Sequence, residues 1–495
     1  MGGLASAAVP IADIAYFSPD DAFFYMKTAQ QFAAGEGSTF DGFTSTNGYH
    51  PLWFLALAGL YWLVQLGGAL PPEWLFRLSF FAGWALFIGS SWLTIAAYRR
   101  LQPDKGLSSF AVFFIVLCFL LIWARVVGSE AQIACTVFAL YVYFKSLELT
   151  TGRSFAWPKA FALALLFLAR YDFIATLIPA LLIGDYFTVQ DKKRLRTALP
   201  QVLILGIAVI AYFGNNYIQF GHVLTVSGSY KSSFPDVVLF ENFSRYLTTS
   251  RYQFARAILA IGVAGWFAWH SLRSRNRQPF GLLLSIAGVG GALFLLQTMS
   301  FNAHKLREWY TTVPLFIAIM QVTWYLLQRR SAIPDIVNGT LIGGALVFLL
   351  LVAGHFEKWD ANIEYAETLR SNTAPDDRIL IVDCSGIVGF FSERSVVNGD
   401  GLVCSYEYME RMKAGTLKSW LAENRVEYYA TYTAVYDSSS ALYHDPVVTG
   451  MGGLELAFGE HQLLHRAPFS IDNILFHSSG EWMMFRFDFD EGRNE

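Results

Sequence analysis

The chain reads Ser18-Pro-Asp-Asp-Ala-Phe-Phe-Tyr-Met-Lys-Thr-Ala near its start, and Gly48-Tyr-His-Pro-Leu-Trp follows. Two adjacent carboxylates, Asp20 and Asp21, thus stand in a sequence that is otherwise mostly apolar. Joint ionisation of such a pair is unfavourable unless cations, a metal ion or water compensate for the repulsion. The pair therefore indicates a polar site at the edge of a membrane. Taken alone, it could also cap a helix that starts at Ala22, because aspartate is a favoured N-cap residue.

The composition indicates a membrane protein. Hydrophobic residues make up 54% of the 495 residues and charged residues only 15%. A soluble chain carries about 25% charged residues, so most of this chain is expected to face lipid. The net charge is -3 and no basic stripe is present, which gives no support to nucleic-acid binding.

Membrane spans are predicted from the apolar segments, since a helix needs roughly 20 apolar residues to cross the hydrocarbon. Ten segments meet or approach this length: 75–98, 107–124, 131–147, 155–170, 172–188, 197–215, 253–271, 279–297, 309–327 and 334–354. Lysine and arginine concentrate in alternate connections, so all of these can face the cytoplasm together; they are residues 99–105, 192–196, 273–277 and 329–330. The N-terminal region and everything after residue 355 then face outward.

Residues 51–67 are apolar but would invert this orientation if they crossed the membrane. They are therefore predicted to form an external helix that lies in the interface or re-enters from one side. The predicted fold is a polytopic α-helical membrane domain over residues 1–355, with its first external loop at 17–74. An extracytoplasmic α/β domain over residues 356–495 follows.

The C-terminal region has the pattern of an α/β domain large enough for its own core. Residues 378–383 predict a strand that enters a turn containing Gly386 and Gly389. Residues 407–424 predict a helix, and residues 482–489 alternate as a strand does. If this domain is outside the cell, a disulfide between Cys384 and Cys404 is possible, and the sequence leaves it open.

On this topology the unusual polar residues fall on the outer side. An ionised residue at membrane depth costs about 2.5–3.5 kcal/mol, so several near one face predict a shared polar cavity. The candidates for its lining are Tyr49, His50, Glu130, Arg170 and Asp172, with the cations Lys231, His304, Lys305 and Arg307 beside them. Simpler structural roles stay open: an ion pair for Arg170 with Asp172, head-group anchors for Lys305 and Arg307, and a local hydrogen bond for His50.

A cavity of this kind could transfer a sugar from a lipid-linked phosphate. Cations would hold the phosphate and stabilise it as a leaving group. A carboxylate would take the proton from the attacking hydroxyl. Inverting transfer needs only that one base and forms no covalent sugar–enzyme intermediate.

Several motifs resemble those of a known family. The two stretches quoted above, with Gly35-Glu-Gly-Ser-Thr-Phe and Thr46-Asn, resemble the first external loop of GT-C-fold glycosyltransferases. The likeness is to bacterial polyprenyl-phosphate-sugar transferases, related to the arabinofuranosyl and protein-mannosyl types. Further matching motifs follow in order over nearly the whole chain: Gly128-Ser-Glu-Ala, Ala169-Arg-Tyr-Asp, Gly221-His-Val-Leu, Ser229-Tyr-Lys, Ser392-Glu-Arg and Val397-Asn-Gly-Asp-Gly-Leu-Val.

The resemblance implies that Asp20 is the catalytic base and that Asp21 orients it or helps to hold a metal ion. It also implies a polyprenyl-phosphate sugar donor, whose phosphate meets the four cations named above, and a glycan, lipid or protein acceptor. Some members of the fold use a divalent cation such as Mg²⁺ or Mn²⁺, which the two aspartates would hold, and others need none. The implied location is the inner or plasma membrane. The chain departs from the family pattern at Ser129, at Tyr171 and at its start, where the customary first span is absent.

Two other classes remain compatible with the sequence: a lipid or glycan transporter, and a non-catalytic membrane scaffold. Transporters often show paired repeats, and none is evident in this sequence. The arrangement of Asp20, Lys231 and Arg307 separates the remaining possibilities. One outward-facing pocket favours the enzyme, whereas separate faces favour the scaffold.

Overall fold

The structure, a computed structural model, describes residues 9–102, 109–189, 194–274, 278–329 and 359–489, without 447, 449, 450, 455 and 474–477. Its first part is helical, with a short 3-10 helix at Tyr171–Ala175. The helices are α1 (Ile11–Ala15), α2 (Asp20–Ala34), α3 (Pro51–Gln65), α4 (Pro72–Leu101), α5 (Ser109–Trp123), α6 (Glu130–Thr151), α7 (Ala156–Ala169), α8 (Leu177–Thr188), α9 (Arg194–Phe220), α10 (Val226–Lys231), α11 (Phe243–Thr248), α12 (Arg251–Arg273), α13 (Pro279–Phe301) and α14 (Glu308–Arg329).

Among the described residues, five helices are long and apolar enough to cross a membrane: α4, α6, α9, α13 and α14. Helices α3, α7 and α8 are apolar but shorter. The helical character predicted for the nine apolar segments between residues 75 and 327 is confirmed wherever the structure describes them. The segment 334–354 lies outside the described residues. The number of spans and their direction stay predictions.

Helix α3 covers the segment that was expected to lie outside the membrane. It begins at Pro51. Proline is tolerated in the first turn of a helix because the N–H group that it lacks would have no hydrogen-bond partner within the helix there. Trp53, Leu57 and Tyr61 are buried, while Trp62 and Leu63 on the other side are more than half exposed. One face of α3 therefore packs on the protein, and the other is apolar and open, as an interfacial helix requires.

The C-terminal part contains a five-stranded sheet of order β2-β1-β3-β8-β7 and a three-stranded sheet of order β4-β5-β6. β1 runs parallel to both β2 and β3, whereas β8 is antiparallel to β3 and β7. The strands are β1 (Arg378–Ile381), β2 (Ser395–Asn398), β3 (Val426–Thr431), β4 (Val435–Asp437), β5 (Leu442–His444), β6 (Ala457–Gly459), β7 (Leu463–Asn473) and β8 (Ser478–Arg486). The helices are α15 (Asp360–Asn372), α16 (Ser385–Ser392), α17 (Tyr406–Lys413) and α18 (Leu417–Glu423). The predicted α/β domain is thus confirmed.

Three details of this domain differ from the sequence prediction. Gly386 and Gly389 lie in helix α16 and not in a turn. The single helix expected over 407–424 is two helices, because Gly415 between them has φ +71°, a left-handed conformation that ends a helix. The open question of a disulfide is answered: all four cysteines lie in described ranges and none is disulfide-bonded. Cys404 is buried and donates to the carbonyl of Asn398 at 3.0 Å.

The helical part and the α/β domain share one hydrophobic core. The Phe23 ring of α2 stacks on Phe76 of α4 at a centroid distance of 5.4 Å. The same ring also packs against Phe390 and Phe391 of α16, at 5.9 and 5.7 Å. The Trp359 indole N–H donates to the carbonyl of Ser18 at 3.0 Å. The α/β domain is therefore seated directly on α2 beside the end of the bundle.

Candidate active site

A cavity of about 340 Å³, lined by charged, polar and aromatic side chains, lies where α2, α10, the turns that follow α5 and α7, and the α/β domain meet. This volume is at the lower end of the range for small-molecule sites, roughly 300–1,000 Å³. Seven of the residues predicted from the sequence line it: Asp21, Tyr49, His50, Glu130, Arg170, Asp172 and Lys231. Lining residues that were not predicted include Tyr25, Tyr171, Asn302, Trp309, Tyr310 and Leu402.

Asp21 and Lys231 form the charged pair of the cavity, with Lys231 Nζ 3.9 Å from Asp21 Oδ2. Both side chains are partly exposed, at 27% and 20% respectively, so a ligand can reach them. Burial alone would lower the pKa of Lys231, but Tyr310, Asp21 and Asp400 together raise it above its ordinary value. The cavity therefore holds a protonated amine opposite a carboxylate.

The short helix α10 places Lys231 through contacts at its first turn. The Thr225 hydroxyl accepts the N–H of Gly228 at 3.0 Å and so caps the helix. The backbone N–H of Val226 donates to Asn47 Oδ1 at 2.9 Å. The loop that contains His50 is thereby fastened to the helix that ends at Lys231.

Arg170 forms one wall of the cavity and is buried. Its guanidinium donates to Glu130 at 3.1 Å and to the two oxygens of Asp172 at 3.1 and 2.6 Å. It also donates to the Trp309 carbonyl at 3.1 Å. Burial alone would raise the pKa of Asp172, but the charge and hydrogen bonds of Arg170 hold it below its ordinary value. The sequence had left open whether Arg170 and Asp172 form only a structural ion pair. The arrangement matches that role, since the guanidinium of Arg170 donates its hydrogen bonds to groups of the protein itself.

Neutral polar groups complete the lining. Burial, aided by the charges of Arg170 and Lys231 and opposed by that of Asp172, lowers the pKa of His50 to about 3. His50 is thus an uncharged imidazole at neutral pH, and its ring lies 4.8 Å from that of Tyr171. Tyr49 stacks on Phe54 at 4.1 Å, and its hydroxyl pairs with that of Ser38. Neutral donors and acceptors on aromatic surfaces are well suited to bind an uncharged polar ligand.

Asp20 lies elsewhere, which changes the predicted assignment of the base. Its Oδ1 accepts the N–H of Ile387 at 2.8 Å, and its Oδ2 accepts the N–H of Gly386 at 3.2 Å. Successive residues of a helix point about 100° apart at 3.6 residues per turn, and here it is Asp21 that faces the cavity. Burial raises the pKa of Asp20 well above its ordinary value, which would suit a base. A base must first lie within reach of the proton it removes, so the geometry favours Asp21.

Three predicted phosphate ligands, His304, Lys305 and Arg307, are not among the lining residues in the part of the chain that the structure describes. His304 packs on Tyr230 at 4.9 Å. Burial, followed by the charges of Lys231 and other nearby cations, lowers its pKa to about 4. An imidazole that is neutral at physiological pH does not supply the predicted positive charge. Of Asp20, Lys231 and Arg307, which were expected to share one pocket, only Lys231 lines the cavity. Roles for Lys305 and Arg307 in phosphate binding stay predictions.

The residues present do not fit a metal ion held by Asp20 and Asp21. Both oxygens of Asp20 are occupied by backbone N–H groups, and Asp21 faces an ammonium group. Within the described ranges, there is no group of three or more His, Cys, Asp or Glu side chains that could hold a metal ion. We therefore derive no chemical step from a metal ion.

The α/β domain supplies part of the site, which the sequence reasoning missed. Leu402 lines the cavity, and the backbone of Gly48 lies so close to that of Leu402 that a side chain at Gly48 would collide with it. Asp400, two residues earlier, is close enough to Asp21 and Lys231 for their charges to act on it. Burial, with the charge of Asp21, raises its pKa to about 7. The signal was present in Val397-Asn-Gly-Asp-Gly-Leu-Val, but no role could be assigned to it without the fold.

Comparisons with known proteins identify the fold. No family model and no curated protein sequence matches the chain. The crystal structure of ArnT from Cupriavidus metallidurans bound to undecaprenyl phosphate matches with a TM-score of 0.52 and 12% sequence identity. The match covers 98% of each chain. The apo structure of the same protein gives a TM-score of 0.46 and 13% identity, over 86% of this chain and 91% of that one.

ArnT is a GT-C glycosyltransferase, and the likeness to it extends over the whole chain. The chain therefore has the fold of a multi-pass membrane protein of the GT-C class, which confirms the predicted GT-C fold. At this level of identity the likeness shows the fold alone.

Proposed function

We propose that this protein is an integral-membrane inverting glycosyltransferase, which moves a monosaccharide from a polyprenyl-phosphate donor to an extracytoplasmic acceptor. The observation that carries the proposal is the pair formed by Asp21 and Lys231, 3.9 Å apart in a polar cavity of a GT-C fold. The structural neighbour bound to undecaprenyl phosphate supports a lipid phosphate as the donor's carrier.

Asp21 is the base in this proposal. Its carboxylate takes the proton from the acceptor hydroxyl as the oxygen attacks the anomeric carbon of the sugar. The new glycosidic bond forms on the face opposite the phosphate, and the bond from the anomeric carbon to the phosphate oxygen breaks. The electron pair leaves with the polyprenyl phosphate, and the anomeric configuration inverts.

Lys231 is the phosphate-binding cation. It stays protonated in the cavity, and an ammonium group next to the leaving oxygen stabilises the charge that develops there. In the structure this amine is paired with Asp21 at a length near the limit of an ion pair. A donor phosphate would take over that interaction and release the carboxylate for the acceptor hydroxyl.

The Asp21→Asn variant tests the assignment, because asparagine keeps the size and removes the basicity. Mass analysis of the glycans that are lost when the gene is deleted identifies the product. The amount of this product that returns when the variant is expressed measures transfer. We expect transfer to fall at least about 100-fold, since removing a general base costs typically 10²–10⁴-fold. Binding of undecaprenyl phosphate, followed by thermal shift of the purified protein, should be retained.

Glu36→Gln is the matched control, because it makes the same chemical change at an exposed residue just after α2. It should leave transfer unchanged. Normal transfer by Asp21→Asn would rule out Asp21 as the base.

A further inference from the structure

Helix α2 of the first external loop and helix α16 of the α/β domain lie side by side, and two charged residues of α2 meet the two ends of α16. Asp20 accepts the first free N–H groups of α16, from Gly386 and Ile387. About two helical turns later, the Lys27 side-chain nitrogen donates to the carbonyls of Gly389 and Arg394, at 2.8 and 2.6 Å. A helix carries partial positive charge at its N-terminus and partial negative charge at its C-terminus. The charged form of each side chain therefore has the favourable sign for the helix end that it meets.

The two glycines of α16 allow this close approach. A methyl group at Gly386 would collide with the backbone oxygen of Asp20 and would lie 2.9 Å from Asp20 Oδ1. A methyl group at Gly389 would lie 3.1 Å from the Phe40 ring and 3.5 Å from Lys27 Nζ. The unusual placement of glycine in a short helix thus has a steric cause, since glycine otherwise weakens a helix.

The N-terminus of α16 also has a special place in the sheet. The chain passes from β1 through α16 to β2 on one side, and then crosses to β3 on the other side of β1. In open α/β sheets such a switch point, at the carboxyl ends of the strands, is where ligands bind, and a helix N-terminus there favours an anion. In this protein the carboxyl group of Asp20 lies at the N-terminus of α16, where such a ligand would bind. It is close to Asp383, which accepts a hydrogen bond from the Tyr432 hydroxyl.

We propose that Asp20 is a positioning residue, whose carboxyl group occupies the N-terminus of α16 in the way that a bound ligand of the α/β domain would. By seating α16 on α2, it fixes the rotation of α2 that points Asp21 into the cavity, and it holds the turn with Asp400 and Leu402 at the cavity rim. The effect on transfer rests on the proposed function of Asp21. The docking of the two helices does not depend on that function.

The experiment compares Asp20→Ala with Asp21→Asn in the full-length protein, using two independent measurements. Hydrogen exchange of the amides in α16 reports docking, and restoration of the missing glycan reports transfer. Asp20→Ala should speed exchange at Gly386 and Ile387 at least about tenfold and should lower the turnover number with little change in undecaprenyl phosphate binding. Asp21→Asn should leave the exchange of α16 unchanged and abolish transfer.

Rescue by a small carboxylate distinguishes positioning from a general loss of structure. Millimolar formate or acetate should slow the exchange of α16 in Asp20→Ala and recover transfer together with it, because the anion can occupy the vacated place at the helix N-terminus. Should Asp20→Ala fail to fold, Asp20→Asn offers the same comparison with one acceptor oxygen retained.

Two results would overturn the proposal: loss of transfer in Asp20→Ala with unchanged exchange of α16, or unchanged exchange and transfer together. The first would mean that Asp20 acts on the substrate. If Asp20→Ala loosens α16 while Asp21→Asn keeps full transfer, the docking role stands and the proposed function of Asp21 is wrong.

Discussion

Asp400 brings a third charged group to the pair formed by Asp21 and Lys231, and it comes from the other domain. Its backbone turn is fixed by its own side chain, which accepts the N–H of Leu402 at 3.0 Å. Because burial raises its pKa to about 7, its charge changes within the physiological range. An ionised Asp400 adds negative charge beside Lys231, which opposes the binding of an anionic donor phosphate.

The pH profile of transfer tests this interaction. Asp400 is neutral below pH 7 and ionised above it, so its negative charge should oppose binding of the donor phosphate as pH rises through about 7. We expect transfer to fall several-fold over this interval in the native protein. Asp400→Asn should give a flatter profile without this fall. A persistent inflection near pH 7 in that variant would assign the titration to another group.

Single residues of α2, in the loop that is predicted to be external, take different roles despite being near one another in the sequence. Asp21 faces the cavity, Asp20 faces α16, and Lys27 reaches the far end of the same helix. The sequence predicted an acidic site in this loop because two adjacent carboxylates need compensation. It could not predict which carboxylate meets which partner, because the compensating N–H groups belong to residues 366 and 367 positions later.

At the scale of elements, the short helices α7 and α8 are held to α6 by a buried cluster of charges. Lys145 lies 2.8 Å from both Glu148 and Asp185, and Lys159 lies 2.9 and 2.6 Å from the same two residues. Gln201 of α9 donates to Asp185 at 2.7 Å. These contacts let helices of 14 and 12 residues keep their place in the bundle, although each is short for a span.

Asp185→Asn should destabilise this end of the bundle strongly. The change leaves two buried lysines with one carboxylate, and breaking a buried ion pair costs about 3–5 kcal/mol. Thermal unfolding of the purified protein measures the effect. The exposed pair of Arg411 and Glu423 provides the contrast, since Arg411→Ala should cost at most about 1 kcal/mol. Equal shifts for the two variants would contradict a stabilising role for the buried cluster.

At the scale of the whole molecule, the α/β domain forms part of the cavity as well as a core of its own. Leu402 lines the cavity, and the aromatic contacts of Phe23 continue the core of the bundle into α16. The site is thus assembled from segments at the beginning, middle and end of the chain.

The orientation of the molecule in the membrane gives a prediction at this scale. The basic connections are expected in the cytoplasm, which places the cavity and the α/β domain outside. Ser438 in the α/β domain and Ser154 between α6 and α7 are both exposed. In intact cells, a membrane-impermeant maleimide should label Ser438→Cys and leave Ser154→Cys unlabelled until the cells are opened. The reverse pattern would show that the cavity faces the cytoplasm.

The sequence by itself determined the membrane class, the positions of the helices and the acidic first loop, because these depend on composition and on local periodicity. It also predicted the charged residues of the cavity lining, since charged residues at the same end of successive helices must share one polar space. Only the tertiary structure decided that Asp21 rather than Asp20 faces Lys231, that His304 is neutral and that Asp400 joins the site. Those properties depend on side-chain direction and burial, which are set by contacts between segments hundreds of residues apart.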